Sequence, residues 1–153
     1  MFMQTENRPV LQWEDCARMA VGSPKNDTPL LCKNTQDNII LFVDTGHYPF
    51  GKAGKTQLAN MLFSICKKFP DFKIVVKPRW LPNEANNIHT SRIHLYSVIE
   101  ELYAKEFPEN LILLNEHIDM QNLIDQSVVV ITPGSSAYLE AAARGKNILI
   151  VTG

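Results

Sequence analysis

The chain has 153 residues, of which 45% are hydrophobic and 20% are charged, and its formal net charge is −1. This length and composition are typical of one globular domain. A net charge near zero gives no electrostatic reason to expect nucleic-acid binding. No apolar run approaches the ~20 residues that a membrane-spanning helix needs. The three cysteines are odd in number and widely spaced. We therefore expect a cytoplasmic protein. This location could include the inner face of the membrane, where the protein would be peripherally attached.

Hydrophobic patterns predict five strands that alternate with four helices. Continuous apolar runs are typical of strands covered on both faces, and a 3.6-residue period is typical of amphipathic helices. The predicted strands are 39–43, 73–77, 111–114, 128–131 and 147–151, and the predicted helices are 55–69, 91–106, 120–125 and a last one between Ser136 and Gly145. This order predicts an α/β fold, namely a Rossmann-like parallel sheet with helices on both faces. Ligands of such sheets bind beyond the carboxyl ends of the strands.

The two ends of the chain differ from the regular pattern between them. Residues 22–38 are rich in turn-forming residues and precede the first predicted strand. We therefore interpret residues 1–38 as an N-terminal extension and linker, and residues 39–153 as one Rossmann-like domain. A parallel strand normally leads into a covering helix, whereas this chain stops directly after its last predicted strand. The pattern predicts a domain that is truncated at its C-terminus.

The stretch from 128 to 145 joins a buried strand, a tight turn and a helix. Gly134, Ser135 and Ser136 stand at the start of the helix, where backbone N–H groups lack intrahelical partners and the helix dipole is positive. A glycine, two hydroxyls and free N–H groups suit a phosphate or diphosphate. Glu140 lies further along the helix, where its carboxylate could accept hydrogen bonds from a ribose diol. The alternative interpretation is an ordinary β–α unit whose serines only cap the helix.

The loop after the first strand also contains residues typical of phosphate sites. Gly54-Lys55-Thr56 resembles the end of a P-loop, but Pro49 occupies the position of the first glycine of that motif. We therefore do not predict a nucleotide-hydrolysing P-loop. A loop that lies near a bound diphosphate remains a hypothesis, with possible contacts from Gly46, His47, Lys52 and Lys55.

Two cations follow the second strand. Lys77 and Arg79 could neutralise a ligand phosphate, the first as a point charge and the second as a planar fork. The alternative is a solvated pair of surface charges. His89 and His94 are spaced badly for one helix face and have no third ligand nearby, so we predict no metal site. No arrangement of serine, histidine and aspartate identifies a catalytic residue.

Three segments, in this order along the chain, resemble one family. GSPKND at 22–27 resembles the glycine-x-proline-arginine-x-aspartate segment between the two domains of the CDP-glycerol glycerophosphotransferase-like branch of GT-B glycosyltransferases. KIVVKPRW at 73–80 is similar to the lysine-proline-histidine-proline strand end of that surface-polysaccharide branch. VVVITPGSSAYLEAAARGKNILIV at 128–151 resembles the strand, Ser-Ser turn and helix that hold the donor in the C-terminal domain of these enzymes. Arg79 and Trp80 depart from the family's histidine and second proline.

The resemblance implies that this chain is one half of a GT-B enzyme. Residues 1–38 would contain the remnant of an interdomain linker, and residues 39–153 would bind a nucleotide-sugar or nucleotide-polyol phosphate donor. It implies diphosphate contacts from Gly134, Ser135, Ser136, Lys77 and Arg79, and a ribose contact from Glu140. The activated donor is a substrate, so no cofactor is expected. A carbohydrate or lipid-linked acceptor would bind a separate N-terminal domain, and the half alone would be inactive.

Two other interpretations of the residues stay open. One is a fragment of an isomerase of the nucleotide-sugar 2-epimerase kind, which has a similar architecture and a similar serine-containing turn. The other is a non-enzymatic, flavodoxin-like α/β module that binds a partner. Nucleotide binding would distinguish the transferase and the isomerase, which both bind a nucleotide sugar, from the partner-binding module.

Overall fold

The computed structural model describes residues 38–45, 51–84 and 93–151. The predicted linker therefore lies almost wholly outside the described residues. Five strands alternate with four helices along the described chain. They are β1 (Ile39–Val43), α1 (Gly51–Lys68), β2 (Lys73–Lys77), α2 (Leu95–Tyr103), β3 (Leu111–Leu113), α3 (Met120–Gln126), β4 (Ser127–Thr132), α4 (Ala137–Ala143) and β5 (Asn147–Ile150).

The five strands form one parallel sheet in the order β3-β2-β1-β4-β5. This arrangement confirms the predicted Rossmann-like α/β fold. The chain builds outward from β1 to β3 on one side and then returns to add β4 and β5 on the other. The strand order therefore reverses between β1 and β4, and the crevice at such a point is where parallel sheets bind ligands.

Apolar side chains cover both faces of the sheet. Alternate residues of β1 enter different clusters: Phe42 packs with residues of α1 and α2, whereas Leu41 packs with residues of α3 and α4. Both side chains are fully buried. Because successive strand residues point to opposite faces, burial on both faces requires the continuous apolar runs seen in the sequence.

Two helices have different bounds from those predicted. Helix α1 begins at Gly51, which has a φ of +73°, and so includes residues that the sequence had placed in a loop. Helix α2 begins at Leu95, because the Nδ1 atom of His94 accepts a hydrogen bond from the Tyr96 amide and caps the helix. The remaining elements agree with the predicted ones to within about two residues, which is the usual uncertainty of helix boundaries.

Candidate functional site

The carboxyl ends of three neighbouring strands lie level with one another. Lys77 at the end of β2 pairs with Val43 of β1. Phe42 of β1 pairs with Ile131 of β4, so Thr132 at the end of β4 is level with Val43. The residues that follow these strands therefore meet at one edge of the sheet, beside the point where the strand order reverses. We call it the carboxyl edge.

The turn between β4 and α4 is open to solvent. Gly134 and Ser136 are exposed and Ser135 is half-buried. Gly134 has a φ of +107°, a backbone conformation that residues with a Cβ rarely adopt, and a Cβ added there would meet no atom within 4 Å. The space over this glycine is therefore available to a ligand.

The two serines of this turn differ in their contacts. The Ser135 amide donates to the Thr132 hydroxyl at 3.0 Å, and the Ser135 hydroxyl accepts from the Ala137 amide at 3.4 Å. Ser136 is the N-cap residue of α4 but makes no side-chain capping bond. Ser135 thus shapes the turn, while the Ser136 hydroxyl is directed to no other group in the described part of the chain. The structure brings the predicted diphosphate contacts Gly134, Ser135 and Ser136 together at the carboxyl edge.

Glu140 lies in the first turn of α4 and is only 8% exposed. Glu140 makes an interaction within the protein. A ribose contact from Glu140 therefore requires that the ligand reach a buried group, and this contact stays a prediction. At the other end of the helix, Gly145 has a φ of +64° and its amide donates to the Ala142 carbonyl, which confirms the predicted helix stop.

The two cations after β2 have different surroundings. Lys77 is half-buried, and burial holds the pKa of its ammonium below the usual value, although Asp119 and Glu84 act in the opposite direction. Arg79 is exposed, and its guanidinium carbon lies 5.5 Å from the centre of the Trp80 ring. The charge of Lys77 is thus partly balanced by two carboxylates, whereas Arg79 presents its charge to solvent.

The predicted ligand contacts between β1 and the start of α1 have different surroundings from one another. Gly46 and His47 lie outside the described residues. The Lys55 ammonium is fully buried and lies 3.0 and 3.3 Å from the two carboxylate oxygens of Asp44. Lys52 pairs with Glu101 at 2.6 Å on the exposed surface. The structure therefore gives Lys55 an internal partner in place of the predicted contact with a ligand, because the start of α1 turns its side chain toward the end of β1.

Sequence reasoning missed three residues that organise this edge. Asp44 forms the buried pair with Lys55, and Glu84 contacts His117 at 2.5 Å. Asp44 directly follows a buried strand, and this position in the sequence could have placed it at the carboxyl edge. Glu84 and His117 are 33 positions apart in the chain, so no local pattern connects them.

Other chemistry is sparse in the described residues. Within them, no group of three or more histidine, cysteine, aspartate or glutamate residues is placed to hold a metal ion, and no helix is long and apolar enough to cross a membrane. Burial raises the pKa of the Cys66 thiol to about 11, so this cysteine is unreactive at neutral pH.

The sequence matches a family model described as "Putative glycosyltransferase (DUF6716)" over residues 17–153. The chain belongs to this family. Membership confirms the glycosyltransferase part of the resemblance seen in the sequence, while the narrower CDP-glycerol branch stays a proposal. No curated protein matches the chain.

Two solved structures share the fold. One is the UDP-GlcNAc 2-epimerase from Neisseria meningitidis bound to UDP-GlcNAc, with 19% sequence identity, a TM-score of 0.57 and coverage of 74% of this chain and 28% of that chain. The other is the putative UDP-N-acetylglucosamine 2-epimerase from Listeria monocytogenes, with 18% identity, a TM-score of 0.55 and coverage of 80% of this chain and 29% of that chain. The chain thus spans less than a third of either protein, and at these identities the likeness concerns the fold alone.

Proposed function

We propose that this chain supplies the donor-binding half of a GT-B glycosyltransferase that acts in surface-polysaccharide synthesis. Its ligand is a nucleotide-activated sugar or polyol phosphate, and the β4–α4 turn holds the phosphates of that donor. The observation that carries this proposal is the exposed turn from Gly134 to Ser136, which lies at the carboxyl edge beside the reversal of strand order. Membership of a glycosyltransferase family supports the reaction class.

The turn has the chemistry that a departing phosphate group requires. In the transfer, the bond between the donor phosphate and the transferred group breaks, and a bond to the acceptor oxygen forms. The acceptor proton passes to a base that we assign to the separate acceptor-binding domain. Negative charge grows on the departing nucleotide, so the serine hydroxyls at the turn and the positive end of the α4 dipole favour its departure. In this proposal Ser136 supplies a hydroxyl, the Gly134 backbone allows close approach, and Arg79 supplies positive charge.

Titration calorimetry with UDP, CDP and GDP tests the donor site. We expect one of the three to bind the folded chain, and we expect Arg79→Ala to weaken that binding about tenfold, because a charge-assisted hydrogen bond contributes about 1.5–3 kcal/mol. Arg79 is exposed, so its removal leaves the fold intact. Lys73→Ala is the matched control, because Lys73 is an exposed cation at the opposite end of the same strand.

The outcomes separate the proposal from the module interpretation. Binding that depends on Arg79 but not on Lys73 supports the donor site. A folded chain that binds none of the three nucleotides at millimolar concentration contradicts it and favours a partner-binding module.

An isomerase half is the second candidate, because one structural neighbour is a UDP-GlcNAc 2-epimerase and the other is a putative one. An epimerase inverts the configuration at one stereocentre of the sugar and needs no acceptor. A transferase releases the nucleotide only when an acceptor is present. Incubation of UDP-GlcNAc with this chain and the acceptor-binding domain that the proposal assigns to the enzyme, followed by proton NMR, distinguishes them. A new sugar epimer without acceptor favours the isomerase.

A further inference from the structure

Residues 78–84, the described first part of the connection between β2 and α2 and here called the β2–α2 loop, carry Arg79 along the carboxyl edge and contact His94, the residue that caps α2. The Nδ1 atom of His94 accepts from the Tyr96 amide, so the Nε2 atom carries the ring proton. That N–H donates to the Trp80 carbonyl at 3.1 Å. The Trp80 side chain is itself only 6% exposed. Trp80 is thus an anchored residue, and the Arg79 guanidinium lies over its ring.

Glu84 makes further contacts within this segment. One of its carboxylate oxygens accepts from the Leu81 amide at 2.6 Å, and its own amide donates to the Leu81 carbonyl at 3.0 Å. Its second oxygen lies 2.5 Å from the Nε2 atom of His117, which belongs to the connection between β3 and α3. One carboxylate therefore closes the loop upon itself and ties it to a neighbouring connection.

The charges around Glu84 favour its ionised form. The contact with His117 is the main cause that holds the pKa of this carboxyl below its usual value, and the Leu81 amide adds to it. Lys77 attracts the same carboxylate, and Asp119 also acts on Lys77 while its own side chain caps α3. Glu84 thus joins the end of β2, its own loop and the β3–α3 connection.

We propose that Glu84 is a positioning residue for the anionic donor: it holds the β2–α2 loop so that Arg79 is presented at the carboxyl edge before the ligand arrives. This inference rests on the proposed function. The physical reason is preorganisation. A loop that is already fixed loses less conformational entropy on binding, so the same arginine contact gives higher affinity.

The test is a double-mutant cycle between Glu84 and Arg79, measured as affinity for whichever of UDP, CDP and GDP binds most tightly. We expect Glu84→Ala to weaken binding about fivefold, which is the scale of ordering one loop side chain. In the Arg79→Ala background the same change should alter affinity by less than about twofold, since Glu84 acts through the loop that carries Arg79. Glu109→Ala is the control, because Glu109 is exposed and precedes β3 at the opposite edge.

A second readout does not depend on a ligand. The Leu81 amide should exchange with deuterium faster in the Glu84→Ala protein than in the unchanged chain. In the Glu109→Ala protein it should exchange at the same rate as in the unchanged chain. Conservative replacement by Glu84→Gln retains a carbonyl oxygen for the Leu81 amide and should restore slow exchange and most of the affinity.

The inference and the proposed function fail in different ways. If the unchanged chain binds a nucleotide but Glu84→Ala leaves its affinity within about twofold, the positioning role is wrong and the donor site stands. An equal loss in both backgrounds also overturns it, because Glu84 would then act independently of Arg79. If the unchanged chain binds no nucleotide, the proposed function fails and the positioning role fails with it.

Discussion

Lys55→Met is expected to lower the free energy of unfolding by about 3–5 kcal/mol, because it leaves the charge of Asp44 buried without its partner. The Lys55 side chain is fully buried and that of Asp44 is 3% exposed, and their charged groups approach to 3.0 Å. Asp44 is also held in the sheet, since its amide donates to the Lys77 carbonyl at 3.0 Å. The backbone of Asp44 is therefore fixed at the end of β1, where its side chain is buried. Urea denaturation at neutral pH measures the loss.

Two further variants separate this effect from a general effect of losing a lysine. Lys52 lies in the same helix as Lys55 and forms an exposed ion pair with Glu101 of α2. Lys52→Met removes this pair and should lower the free energy of unfolding by less than about 1 kcal/mol. The double variant Asp44→Leu with Lys55→Met removes both buried charges and should recover more than half of the loss, because an apolar pair has no desolvation penalty. If Lys55→Met costs no more than Lys52→Met, Lys55 is not buried against Asp44.

Gly134→Ala is expected to lower the free energy of unfolding by about 1–3 kcal/mol and to weaken nucleotide binding about tenfold or more. The stability cost comes from the backbone, because a φ of +107° is strained for alanine although its Cβ would meet no atom. The binding cost has two sources: the turn shifts to relieve this strain, and the methyl group occupies the space that the phosphates need. Thermal unfolding and calorimetry measure the two effects.

Gly145→Ala is the matched control, since Gly145 also has a positive φ and lies at the other end of the same helix. Its cost in stability should be about 1 kcal/mol, and nucleotide affinity should be unchanged within about twofold. Equal loss of affinity in the two variants would mean that Gly134 acts only through the stability of α4.

The sequence was sufficient to predict the sheet and its strands. The predicted strands 39–43 and 73–77 coincide with β1 and β2, because the buried residues of a strand covered on both faces form a continuous apolar run. The turn at Gly134 was equally predictable, since it combines a buried strand, a glycine and two serines in one continuous segment. Local chemistry determined these features.

The polar contacts of the carboxyl edge could not be predicted in the same way. The sequence offers Lys55 as a possible loop contact to a diphosphate, but α1 begins earlier than its pattern indicates, and the Lys55 ammonium contacts Asp44. Glu84 and His117 approach each other only because β2 and β3 are neighbours in the sheet. Contacts of this kind depend on strand order and on side-chain direction, which are not properties of any one segment.

In the function that we propose, the β4–α4 turn binds the phosphates of a nucleotide donor. The most direct test is to titrate the isotopically labelled chain with UDP, CDP and GDP and follow its backbone amides by NMR. We predict saturable shifts that are largest at Gly134, Ser135 and Ser136, with smaller ones at Arg79. Saturable shifts confined to another part of the chain, such as the cleft of about 310 Å³ beside Cys66 and Asn110, would contradict the claim, as would a folded chain whose amides do not respond to any of the three nucleotides.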